Sequence, residues 1–257
     1  MSRGWRRLPL MIAVIAVASG ASASSAYALA PLGPGWMVNG LPLILGAKLI
    51  SKPSKKVTIR LPEGFEVVCE KLKDPTEAAI LSESLPALYV GTFSAEECNK
   101  VVNLEEKEEP EACEVEGKTI NFNELGANVV WIEATGSERY VYFNRAFHGG
   151  KWETSNGLWA TIKIKSISGK TCPSLLLGMH PLNGQLLAKL KMPTTEQPKK
   201  TFTSVETGGC AKAKTYYEGE PRTSHSAEGL TIGGEKGAEL CGEFELELEN
   251  GDEFSVS

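Results

Sequence analysis

The strongest constraint on this chain is a period of two. In residues 56–61, Val57, Ile59 and Leu61 fall on one side and Thr58 and Arg60 on the other. In residues 158–167, Leu158, Ala160, Ile162 and Ile164 oppose Thr161, Lys163 and Lys165. Near the C-terminus Phe244, Leu246 and Leu248 alternate with Glu243, Glu245, Glu247 and Glu249. Successive side chains of a strand point to opposite faces, so each run predicts a strand with one dry and one wet face. That pattern belongs to antiparallel sheets. The expected fold is mainly β, antiparallel and sandwich-like.

Other segments join this frame. Residues 36–49 predict one or two short strands, and strands are also expected at 65–69, 88–93, 129–133 and 139–147. Thr135-Gly136-Ser137 reads as a turn, and Asn156-Gly157 as a hairpin turn between 152–155 and 158–167. At Asn250-Gly251 the alternation favours a three-residue loop, setting Leu246 opposite Phe254 and Phe244 opposite Val256, with Gly251 left-handed. Asp74-Pro75-Thr76-Glu77 reads as a helix start continuing to Leu81, with a β-meander connection as the competing reading. A faint echo links Asn39-Gly40, Lys55-Lys56 and Cys69 to Asn183-Gly184, Lys199-Lys200 and Cys210. Two related β sub-domains, 31–117 and 118–257, would explain it, with chance similarity between turn-rich strands of one large β domain as the competing reading.

Residues 1–30 read as a secretory signal helix. Arg3, Arg6 and Arg7 precede an apolar run, and a small-residue tract offers cleavage after Ala28 or Ala30. The run is shorter than the roughly 20 residues a membrane span needs. No later segment is a candidate span, because residues 36–50 are interrupted by Asn39, Gly40, Pro42, Gly46 and Lys48. Removing the signal leaves 24 basic against 32 acidic residues, net −8. Nucleic-acid binding needs clustered Lys and Arg and is not expected.

All six cysteines lie after the signal, where an oxidising compartment favours disulfides. Six cysteines allow 15 connectivities. Cys98–Cys113 is the expected pair, because closing so short a loop contributes about 3 kcal/mol in the chain-entropy model. Between them runs an acidic tract with five glutamates in residues 105–111, read as a solvated loop in preference to a weak calcium site.

Catalytic chemistry finds little support. There is no G-x-S-x-G elbow, H-E-x-x-H, C-x-x-C or phosphate-cradling glycine loop. His148-Gly149-Gly150 reads as a turn ending a strand, and His180 and His225 as ordinary loop histidines. No metal or cofactor is expected, and no enzyme. The aromatic residues concentrate at Trp131, Tyr140, Tyr142, Phe143, Phe147, Trp152 and Trp159. Alternation puts Tyr140 and Tyr142 on one face and Trp159 on the wet face of Lys163 and Lys165. These three form a candidate strip for a glycan or apolar ligand, with burial under another element as the competing reading.

The chain resembles the uncharacterised exported all-β proteins of soil actinobacteria. The shared features are Trp36-Met37-Val38-Asn39-Gly40, the strand ending Val67-Val68-Cys69, Phe93 to Cys98 with Cys113, and the spacing Leu240, Gly242, Leu248, Gly251. Cys210 and Cys241 depart from that pattern. The resemblance implies an all-β fold and an exported location, with no activity attached. The expected function is non-catalytic surface interaction in the extracellular space or cell envelope. Glycan or apolar-ligand binding and a hydrolase with a scattered site are the alternatives.

Overall fold

The computed structural model describes residues 36–39, 41–42, 47–52, 56–73, 79–82, 88–105, 112–133, 139–154, 157–191, 201–204, 210–211, 215–218, 221–242 and 244–256. The expected signal helix, Asp74 to Ala78, Glu106 to Glu111 and the turn at 135–137 lie outside them. The fold is mainly β, and every strand pairing is antiparallel.

Two curled sheets dominate. One runs Lys100–Asn103, Phe65–Cys69, Val57–Arg60, Glu235–Cys241, Leu230–Ile232, Gly178–Gly184, Leu158–Ser166, Cys113–Val115. Its two outer strands lie against each other, so the sheet nearly closes. In the other, successive pairings return to their start. They pass through Glu124–Trp131, Arg139–His148, Leu186–Lys191, Thr201–Ser204, Phe244–Leu248, Ala47–Lys52, Ala79–Ser82 and Leu88–Gly91. Closure removes the unpaired edges that an open sandwich would expose. Two three-stranded sheets complete the fold. One joins Lys71–Lys73, Ser94–Glu96 and Thr119–Asn121, and the other joins Leu41–Pro42, Trp36–Val38 and Phe254–Val256.

The alternating runs behave as their chemistry requires. Val57, Ile59 and Leu61 are buried, as are Ile162 and Ile164, while Lys163 and Lys165 stay in solvent. Arg60 pairs across its neighbouring strands with Glu66 at 3.0 Å and Glu239 at 3.2 Å. Apolar side chains of the two curled sheets and of the sheet containing Lys71–Lys73 meet around Leu72, Phe93, Phe122, Leu125, Trp159 and Leu240. The void left there is about 20 Å³ with no polar lining. A buried water needs polar partners, so this junction is dry core and not a ligand chamber.

Several local expectations are corrected. Residues 31–257 form one compact unit, and both large sheets contain strands from 31–117 and from 118–257. Period-two strands of both segments bury their dry faces against one another, leaving no seam at 117/118. Ala79–Ser82 is a strand, in place of the end of a helix. The hairpin turn is Gly149-Gly150, joining Arg139–His148 to Lys151–Thr154, and Leu158–Ser166 pairs elsewhere. Both glycines have positive φ, 59° and 81°, which two-residue hairpin turns favour. Phe244–Leu248 and Phe254–Val256 form no hairpin. The first fills a gap between Thr201–Ser204 and Ala47–Lys52, and the second pairs with Trp36–Val38. Gly251 is left-handed as expected, with φ 74°.

All six cysteines pair, as Cys69–Cys98, Cys113–Cys172 and Cys210–Cys241. The expected Cys98–Cys113 bridge is therefore overturned, and strand register explains why. Lys71 pairs with Glu96, and continuing that register by two residues sets Cys69 opposite Cys98. Cys113 pairs with Ser166, whose Oγ accepts a hydrogen bond from the Cys172 N–H, returning that cysteine to Cys113. Cys210 and Cys241 face each other directly. Loop length sets only the entropy of closure; register sets which sulfurs meet.

Candidate functional site

The aromatic strip read from the sequence is not on the surface. Tyr140, Tyr142 and Trp159 are 4%, 3% and 1% exposed. Trp159 turns inward because Leu158 pairs with Asn183 and Ala160 with Leu182, which makes Trp159 the extra residue of a β-bulge. Its indole N–H donates to the Gly184 carbonyl at 3.0 Å. Tyr140 and Tyr142 do share a face, but Tyr216 and Ala227 pack over it. The Tyr142 and Tyr216 rings lie 4.3 Å apart. Burial, and then a hydrogen bond to Tyr216, push the Tyr142 hydroxyl pKa far above its ordinary value.

A second bulge changes which aromatics reach solvent. Gly126 pairs with Arg145 and Ala127 with Phe143, leaving Asn144 as the extra residue. Beyond it the faces exchange, so Ala146 is buried and Phe147 exposed. Phe147 and its cross-strand partner Trp152 form the exposed aromatic pair, 5.5 Å between ring centroids. Alternation alone places Phe147 with Phe143.

The three histidines do separate things. His180 Nε2 bonds the Leu176 carbonyl at 2.8 Å, His225 stacks on Tyr216, and His148 Nδ1 lies 3.3 Å from Asn123 Nδ2. Among the described residues none bonds both a serine and a carboxylate, the constellation a serine hydrolase requires. Cys210, Glu239 and Cys241 converge closely enough to suggest a metal site, but the two sulfurs are bonded to each other.

Among the described residues, two further surface features stand out. The first is apolar: Leu175, Leu177 and Met179 are 54%, 43% and 70% exposed. They follow the Cys113–Cys172 bridge, and the buried Leu176 between them is fixed by Leu176 N–H to Pro173 carbonyl and His180 to Leu176 carbonyl. The second is a polar groove of about 390 Å³. Cys113–Val115 pairs with Leu158–Ser166 as far as Val115–Ile164, after which the chain turns away through Glu116–Lys118. Pairing resumes at the Phe122–Ala160 bridge. The interruption opens the groove, and Thr119, Asn121, Asn123, His148, Thr161 and Lys163 line it. Asn123 is held in place, its Nδ2 donating to the Leu158 carbonyl at 2.6 Å. No sequence signal marked this site, because it arises where a strand leaves one sheet for another.

No family model, curated protein or solved structure matches the chain. Fold and sites define a class: an antiparallel β-protein linked by three disulfides. Among the described residues no helix is long and apolar enough to cross a membrane.

Proposed function

We propose that the protein is an exported, non-catalytic β-protein acting by surface interaction in the extracellular space or at the cell envelope. The observation that carries this reading is the apolar strip of Leu175, Leu177 and Met179, held by a disulfide and left in solvent. Exposed apolar side chains scattered singly are ordinary; three within five residues on an anchored segment form a contact surface. Export is supported by the basic-apolar-small leader and by pairing of every cysteine. The test is retention of the purified, oxidised protein on washed cell-envelope material. Wild type is expected to sediment with it, and the triple variant Leu175→Ser, Leu177→Ser, Met179→Ser to stay in the supernatant. Equal partition of the two removes the strip from the function.

A further inference from the structure

We infer that the groove between Thr119–Asn121 and Leu158–Ser166 is a binding site for a neutral, polyhydroxylated ligand, in chemical terms a saccharide. Its volume of about 390 Å³ lies in the range of small-molecule sites. The wall chemistry selects the class. Thr119 and Thr161 supply hydroxyls, and Asn121 and Asn123 supply carboxamides, so both walls donate and accept hydrogen bonds. Sugar hydroxyls need that dual capacity; phosphate, sulfate and metal ions do not. Among the described residues lining the groove, Lys163 is the one Lys or Arg, and it sits 3.9 Å from Glu116, so the two charges offset each other. The half-buried Leu158 side chain adds apolar surface to the groove wall, which suits the C–H groups of a sugar ring.

The groups are also preorganised. Asn123 Nδ2 has two hydrogens: one goes to the Leu158 carbonyl, and the other is directed at His148 Nδ1. This fixes the amide so that its oxygen is not consumed by either bond. The His148 ring also lines the groove, and its second nitrogen, Nε2, takes no part in the contact with Asn123. The backbone of Asn123 is anchored as well, its N–H donating to the Trp159 carbonyl at 2.7 Å. Little ordering of this wall remains to be done on binding, which favours even a shallow site. The groove shares no residue with the buried strip of Tyr140, Tyr142 and Trp159, and it is independent of the apolar strip at Leu175 to Met179.

The test is isothermal titration of the full oxidised protein with neutral tetrasaccharides, β-1,4-linked glucose, β-1,4-linked N-acetylglucosamine and α-1,4-linked glucose. A polygalacturonate tetramer and a sulfated disaccharide are the charged comparators. At least one neutral sugar is expected to bind saturably, and Asn121→Ala and Thr161→Val are each expected to weaken it at least tenfold. Both side chains are peripheral to the core, and an unchanged near-ultraviolet spectrum verifies that each variant is folded. The triple variant at Leu175, Leu177 and Met179 should bind sugar like wild type, which separates this site from the envelope contact. Flat titrations with all three neutral sugars overturn the inference. So does binding that neither groove variant weakens, or tighter binding of the charged sugars.

Discussion

Gly184 shows how much one missing side chain contributes. Its φ is 118°, its carbonyl accepts the Trp159 indole, and a Cβ there would lie 2.3 Å from the Gly229 carbonyl oxygen. Backbone would have to move on both sides. Gly184→Ala should therefore lose about 3 kcal/mol, read from the urea midpoint. Tyr142 offers a pH handle at the same scale. Its raised pKa means the folded chain keeps a proton that the unfolded chain releases above about pH 10. The associated stability is present below that pH and declines as pH rises toward the folded value. Tyr142→Phe should flatten the fall of the urea midpoint between about pH 9 and pH 11; an unchanged slope would remove Tyr142 as its source. The shared face of Tyr140 and Tyr142 was legible from alternation. Its burial was not, because the covering residues Tyr216 and Ala227 are distant in sequence, and no local pattern announces them.

At the scale of elements, parity and register decide what a sequence can disclose. Strands without irregularity were readable to the residue, as Phe65–Cys69 shows. A bulge defeats the same reasoning, because one extra residue exchanges the faces of everything beyond it, and nothing in the side chains of Leu158, Trp159 and Ala160 marks the insertion. Trp159 checks the account. Its replacement by Ala should cost about 3–5 kcal/mol, as for a large core side chain, where a solvent-facing tryptophan would cost under about 0.5 kcal/mol. Register likewise sets the disulfides, and burial sets their accessibility. Cys69, Cys98 and Cys113 are inaccessible and Cys172 nearly so, while Cys210 and Cys241 are half-buried. Under mild native reduction with alkylation, peptide mapping should find Cys210 and Cys241 labelled first. Labelling of Cys69 or Cys113 ahead of them would contradict that order.

For the molecule as a whole, the class of fold was legible and the path of the chain was not. Alternation identifies strands and their wet faces, yet long-range neighbours such as Ala47–Lys52 beside Phe244–Leu248 carry no local signature. The groove escaped for the same reason, being a product of where two sheets part. If residues 1–30 act as the proposed export leader, mass spectrometry of the processed protein should find an N-terminus at Leu29 or Pro31. The small sheet that unites Trp36–Val38 with Phe254–Val256 has another consequence. Because Trp36 pairs with Val256, the first and last described strands end side by side, and the fold is close to a ring in its connectivity. Joining those ends through a short glycine-serine linker and opening the chain at the exposed Gly233-Gly234 turn should yield a circular permutant with the same three disulfides. In such a protein the order in which the strands are synthesised matters less than the partners each one finds.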